Sequence, residues 1–200
     1  MFSILHKVFG SRMKALEIAC VLTDHKPVAR QGFYPEELAK VEKFCAANGL
    51  FVEKSRNKIV LDDKDTFTNR GRVADATKKV HGMTLAYISK DELKAAQACL
   101  AETQGDHYIT GLMLGYPECC VRFFAERFAA DDLNPVHVPT NVWTNVRLRE
   151  SDICLLSHFP CTSDCVQSIK IARENWTLLQ QIDKECAHEW MKKLAENVKL

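Results

Sequence analysis

The sequence lacks any apolar run of about 20 residues, the length that a membrane-spanning helix needs. It also lacks an excess of charge, because 27 basic and 26 acidic side chains leave a formal net charge of +1. Long-range attraction to nucleic acid or to anionic lipid is therefore not expected from the total charge. The chain has no G-x-G-x-x-G pattern, no phosphate-binding loop and no H-E-x-x-H pair. These absences argue against the membrane-spanning, dinucleotide-binding and zinc-protease classes.

A secretion signal is not expected either, because His6 and Lys7 interrupt the apolar residues of positions 1–9. We therefore expect a cytoplasmic protein. Nine cysteines are many for 200 residues, and the number is odd. In a reducing compartment a disulfide framework is disfavoured, so each cysteine is predicted to be a core residue, a metal ligand or a reactive thiol.

Hydrophobic spacing and turn residues predict an α+β fold in which a small β-sheet packs against several helices. Helices are expected over residues 12–23, from Pro35 to Gly49, from a Ser89–Glu92 capping box to about residue 102, and from Pro117 to about residue 128. Residues 50–52 and 58–61 are predicted to form a hairpin around the polar residues 53–57, and residues 83–88 another strand. Residues 62–79 are expected to be a long loop or a weak helix, and residues 131–141 a linker or structured loop.

The C-terminal part is expected to be one long helix from about residue 162 to residue 197, because its apolar residues recur at gaps of three and four. This helix closes the core in the predicted fold. The length favours a single domain over residues 1–200, with a possible N-terminal subdomain over residues 1–80 and a cysteine-motif subdomain over residues 81–200.

Two segments concentrate the cysteines, and in both a proline precedes cysteines where a helix is predicted to begin. The first reads Gly-Tyr-Pro-Glu-Cys-Cys and ends at Cys120, and the second reads Ser-His-Phe-Pro-Cys-Thr-Ser-Asp-Cys and ends at Cys165. The first turn of a helix has free N–H groups and the positive end of the helix dipole, which together stabilise a thiolate. We therefore predict that the two segments meet in a thiolate-rich pocket.

The favoured interpretation is a metal site with the ligands Cys119, Cys120, His158, Cys161 and Cys165. Cysteine and histidine ligands suit a zinc ion or an iron–sulfur cluster, and the sequence leaves the choice between the two open. Cys119, Cys161 and Cys165 are the leading ligands, while Cys120 and His158 are candidates for the fourth ligand or for a supporting role. Because adjacent helical residues point in different directions, Cys119 and Cys120 are not expected to bind one ion without local distortion.

Two alternatives stay open. One is a metal-free thiol or redox enzyme with Cys119 or Cys161 as nucleophile and His107 or His158 as base. The other is a non-catalytic scaffold whose metal is structural or absent. The partner is either a small molecule or a protein, which the sequence does not distinguish. The five remaining cysteines fall on or beside apolar stretches and are predicted to be core residues: Cys20, Cys45, Cys99, Cys154 and Cys186.

The two segments, in the form G-Y-P-x-C-C-x-x-F and H-x-P-C-x-x-x-C-x-x-S, resemble a prokaryotic protein family of unknown function. The likeness covers roughly residues 85–180 and does not extend to the N-terminal third. It implies that the four motif cysteines and His158 belong to one site. It implies neither a particular metal nor a reaction.

Overall fold

The computed structural model describes residues 1–61, 71–75, 80–128 and 136–198. Within these residues a four-stranded antiparallel sheet packs against helices, so the predicted α+β class is confirmed. No helix of the described ranges combines the length and the apolar content that crossing a bilayer requires.

The N-terminal part consists of helices α1 (Phe2–Phe9), α2 (Arg12–Leu22) and α3 (Pro35–Ala47), with strand β1 (Ala29–Phe33) between α2 and α3. The predicted helices at α2 and α3 are both present. Helix α2 is buried over nearly its whole length, from Ala15 to Val21. It therefore lies inside the fold, where it contacts α1, the sheet and the C-terminal helix Val166–Ile182.

The sheet has the order β1-β4-β2-β3, with β2 at Phe51–Leu61, β3 at Gly71–Asp75 and β4 at Met83–Ser89. The predicted strand at residues 83–88 is confirmed. The predicted hairpin within residues 50–61 is wrong, because β2 runs through the polar residues and only changes register between Lys54 and Lys58. At this bulge the Ser55 hydroxyl accepts a hydrogen bond from the backbone N–H of Leu85 at 3.1 Å. Residues 53–57 are polar because they are largely exposed, not because they turn.

Residues 71–75, predicted to be loop or weak helix, pair with β2 as the edge strand β3. The rest of that predicted loop, residues 62–70 and 76–79, lies outside the described residues. The same is true of residues 131–135 of the predicted linker. Strand β4 is central and is buried on both faces. Ala86 and Ile88 face the main core, while Leu85 and Tyr87 face a smaller cluster that includes Ala98.

Three helices follow β4 and lead to the first cysteine motif: α4 (Glu92–Thr103), α5 (His107–Met113) and α6 (Glu118–Arg127). The predicted Ser89 cap of α4 is wrong by two residues. Asp91 is the cap, and its side chain accepts hydrogen bonds from the N–H groups of Leu93 and Lys94. The Ser89 hydroxyl instead donates to the carbonyl of Pro27 at 2.8 Å and accepts from the N–H of Asp91 at 3.0 Å.

The chain then passes through a short 3₁₀ helix (Arg147–Ser151) to α7 (Val166–Ile182) and α8 (Lys184–Glu196). The predicted long C-terminal helical region is present, but it is divided at Asp183, whose side chain caps α8 by accepting from the N–H of Cys186 at 3.0 Å. The main core joins this region to the N-terminal helices through large buried side chains such as Leu179, Trp190 and Leu194.

Candidate metal centre

The first cysteine motif lies at the beginning of α6. Gly115 adopts the left-handed conformation, with φ +77°, and a Cβ there would lie 2.6 Å from Cδ of Pro27. Gly115 thus lets the chain turn tightly against Pro27 before Pro117, which caps α6. A Cβ on Gly111 of α5 would lie 2.7 Å from Cγ2 of Val121, so this glycine allows α5 and α6 to pack closely.

The second motif lies just before α7. Cys165 is the cap of α7, and Cys161 lies in the turn that precedes it. The prediction that both residues occupy the first turn of a helix is therefore wrong for Cys161. The positive ends of α6 and α7 nevertheless both point at the cysteines, which favours negative charge on the sulfur atoms.

Four sulfur atoms from the two motifs converge. Those of Cys119, Cys120, Cys161 and Cys165 all lie within 4.8 Å of one another. The Sγ–Sγ distances are 3.8 Å for Cys119–Cys120, 3.7 Å for Cys119–Cys165 and 3.6 Å for Cys120–Cys165. Because the group takes one sulfur from each of these residues, it offers a soft donor set that could hold a metal ion.

The adjacent residues Cys119 and Cys120 both join this group, which corrects the expectation that they would diverge. Side chains in an α-helix tilt towards its N-terminus. Both residues lie in the first turn of α6, so their sulfur atoms can project past the end of the helix towards the same point.

The buried sulfur atoms receive hydrogen bonds. The backbone N–H of Cys161 donates to Sγ of Cys120 at 3.4 Å, and the hydroxyl oxygen of Ser168 lies 3.2 Å from the same sulfur. Burial nevertheless raises the pKa of the Cys120 thiol. Burial also acts to raise the pKa of Cys165, but hydrogen bonds with Ser168, Cys120 and Cys161 together outweigh it and lower the pKa to about 7.

His158 lies behind Ser168 and is not one of the four converging residues. Its Nε2 is 2.8 Å from the hydroxyl oxygen of Ser168, which is fully buried. If the hydroxyl donates to a Cys120 thiolate, it must accept from Nε2–H, so the Cys120–Ser168–His158 chain fixes the tautomer of the imidazole. Burial lowers the pKa of His158 to about 3, which keeps the ring neutral. The structure thus places His158 behind the four cysteines, where it contacts Ser168 and not the group of sulfur atoms. This is the supporting role, one of the two roles that the sequence allowed.

Lys26 connects both motifs to α2. Its Nζ lies 2.9 Å from a carboxylate oxygen of Glu17, donates to the hydroxyl of Ser157 at 2.8 Å, and lies 4.4 Å from the ring centre of Tyr116. The Tyr116 ring in turn packs against the His158 ring, with 5.2 Å between the ring centres. These contacts fix the positions of residues beside the cysteines in both motifs.

His107, predicted as a possible base, is the first residue of α5. Its ring packs edge-on against Phe124 and Phe128, with ring centres 6.1 and 5.0 Å away. His107 does not belong to the group of converging ligand atoms found among the described residues. Its catalytic role, like those of Cys119 and Cys161, stays a prediction.

No protein-family model, curated protein or solved structure matches the chain. The resemblance of the two motifs to a prokaryotic family therefore stays a prediction.

Sequence analysis did not single out Ser168, Gln167 or Lys26 as site residues. Ser168 had a signal in the sequence, because it follows Cys165 by three residues and so lies on the same side of the first turn of α7. Lys26 had none, since no local pattern relates α2 to the motifs. The other five cysteines are all buried, in agreement with their predicted core positions.

Proposed function

We propose that Cys119, Cys120, Cys161 and Cys165 bind a single zinc ion, and that the ion is a structural link between α6 and the beginning of α7. The observation that carries this proposal is the near equality of the three distances among the sulfurs of Cys119, Cys120 and Cys165, 3.6 to 3.8 Å, with the Cys161 sulfur within 4.8 Å of them. A zinc–sulfur bond of about 2.3 Å and tetrahedral angles place sulfur atoms about 3.8 Å apart.

An iron–sulfur cluster fits these distances less well. In a cubane each cysteine binds a different iron, so the thiolate sulfurs are separated by the width of the cluster as well as by their own bonds. Four sulfur atoms within 4.8 Å of one another leave room for one ion. Zinc and iron both accept four thiolates in a tetrahedron, and zinc is the more frequent choice for a structural site of this type.

A structural role is supported by the complete ligand set. Four thiolates fill a tetrahedral ion and leave no position for water or substrate, whereas catalytic zinc sites keep one position open. The ligands also come from two elements that are distant in sequence, because Cys161 follows Cys120 by 41 positions. A shared ion would hold these elements together in the folded chain.

Elemental analysis of the full chain, purified without added metal, tests the proposal. We expect a colourless protein with about one zinc per chain. A brown protein with broad visible absorbance would indicate a cluster, and a protein without metal whose motif cysteines form disulfides would indicate a thiol redox site. Either result would contradict the proposal.

Two variants form a matched pair for this experiment. Cys161→Ser removes one of the four sulfur ligands, while Cys99→Ser removes a buried sulfur of α4 that lies outside the group. We expect the zinc content to fall in Cys161→Ser and to stay at the wild-type value in Cys99→Ser. Equal zinc contents in the two variants would mean that the metal binds elsewhere.

A further inference from the structure

Cys119 differs from the other three proposed ligands in its exposure to solvent. Cys120 and Cys165 are buried and Cys161 is intermediate, whereas Cys119 is exposed. Cys119 is therefore the residue of the four that an incoming molecule reaches most readily.

The sulfur of Cys119 is also poor in hydrogen-bond donors. Cys120 and Cys165 both have Ser168 as a donor, and Cys120 receives the N–H of Cys161 as well. Besides the neighbouring sulfur atoms, the Cys119 sulfur contacts Oε1 of Gln167 at 3.9 Å, an oxygen that accepts from a thiol and donates nothing to a thiolate. Hydrogen bonds withdraw charge from a thiolate, so a thiolate with few donors keeps more of its nucleophilicity.

The charges around the site preserve this nucleophilicity. Four thiolates carry two more negative charges than a zinc ion neutralises. Two cations of α6 and α7 have acidic partners on their own helices: Arg122 lies 2.7 Å from Glu118, and Lys170 lies 4.0 Å from Glu174.

A groove of about 250 Å³ lies next to the beginning of α6, and Cys119 itself is not among its lining residues. It runs between Tyr116 and Pro117 on one side and α7 on the other, where Gln167, Lys170 and Ile171 line it. Gln167 lines this groove and also contacts the Cys119 sulfur, so the groove, which has room for the body of a small molecule, approaches the sulfur through this residue.

We propose that Cys119, when the metal is bound, is a nucleophile that takes up the alkyl group of a small, soft carbon electrophile. This inference rests on the proposed zinc site. A lone pair of the Cys119 sulfur forms the new sulfur–carbon bond, the bond from that carbon to its leaving group breaks, and the leaving group departs as an anion with the bonding electrons. No proton moves, because a metal-bound cysteine is already a thiolate. The product is a neutral thioether.

The experiment uses the zinc-loaded full chain and iodoacetamide at pH 6, with intact-mass kinetics and peptide mapping. A free thiol with a pKa of about 8.5 is less than about 1% ionised at this pH, so we expect the first adduct on Cys119 to form on the order of tenfold faster than on glutathione. The departing group is iodide. Zinc is measured in the same samples before the reaction and after the first adduct.

Three variants complete the design. Cys119→Ser should lose the fast reaction and Cys99→Ser should keep it. Gln167→Ala retains all four sulfur ligands and should react at least as fast as wild type, because the variant removes the side-chain amide near the sulfur and adds no donor.

Labelling that begins at Cys161, a rate no greater than that of glutathione, or a slower Gln167→Ala would overturn the inference. Chains that contain no zinc would instead overturn the proposed function. The two failures are thus distinguishable in one set of samples.

Discussion

The hydroxyl of Ser168 lies between a metal-ligand candidate and a buried imidazole, so its removal tests whether the residues around the cysteines tune the site. The hydroxyl oxygen is 3.2 Å from the Cys120 sulfur and 2.8 Å from Nε2 of His158. In Ser168→Ala the sulfur loses a donor, and the buried N–H of His158 loses its acceptor.

The magnitudes follow from these two losses. A buried polar group left without a partner costs about 1–3 kcal/mol, so the free energy of unfolding should fall by that amount. Loss of a group that orients a ligand typically lowers metal affinity by about 10–100-fold. This second loss corresponds to about 1.4–2.8 kcal/mol of binding free energy.

Competition with a chromophoric chelator measures the zinc affinity, and urea denaturation measures the stability. Ser89→Ala is the matched control, because Ser89 is equally buried and also makes two hydrogen bonds, but it lies at the end of β4. Ser89→Ala should lose stability and keep the wild-type zinc affinity. If Ser168→Ala behaves in the same way as the control, the Cys120–Ser168–His158 chain has no influence on the metal.

Three further outcomes can be measured. Gly115→Ala should lose about 1–3 kcal/mol more stability in urea than Gly105→Ala, because both residues have positive φ but only the first is crowded, by Pro27; equal losses would refute this close packing. Because burial lowers the pKa of His158 to about 3, the unfolded chain takes up the proton first as the pH falls. Wild type should therefore lose up to about 1.4 kcal/mol per pH unit relative to His158→Gln between pH 6.5 and 3, with both chains measured free of metal so that acid release of metal does not contribute; parallel stability curves would contradict a neutral buried ring. Removal of metal by a chelator should raise amide hydrogen exchange in α6 and the first turn of α7 while β4 stays protected. Unchanged exchange in those helices would argue against a structural ion.

The convergence of the two cysteine motifs could be predicted from the sequence because each motif contains its own local signal. Pro117 and Pro160 both precede cysteines close to a helix beginning, and helix beginnings favour thiolates. The sequence could not predict that Cys119 and Cys120 would both face the site. Helical spacing describes the interior of a helix, whereas the two side chains project beyond its end.

The errors in the fold predicted from the sequence also arise because local patterns do not reveal the tertiary surroundings of a segment. Residues 53–57 look like a turn because they are polar, but in β2 they are simply exposed on a strand that has partners on both edges. Apolar residues continue at helical spacing on both sides of Asp183, so the spacing alone did not reveal the break between α7 and α8. Asp183 itself indicated it, since aspartate is a frequent helix cap and is unfavourable inside a helix.

A shared ion would also change how the chain tolerates added length. An ion bound to both Cys120 and Cys161 closes a loop of the chain between residues that are 41 positions apart. The entropic cost of closing a loop grows only with the logarithm of the loop's length. Each doubling of the length adds about 0.6 kcal/mol to that cost. Extra residues inserted between Cys120 and Cys161 would therefore weaken the closure itself very little.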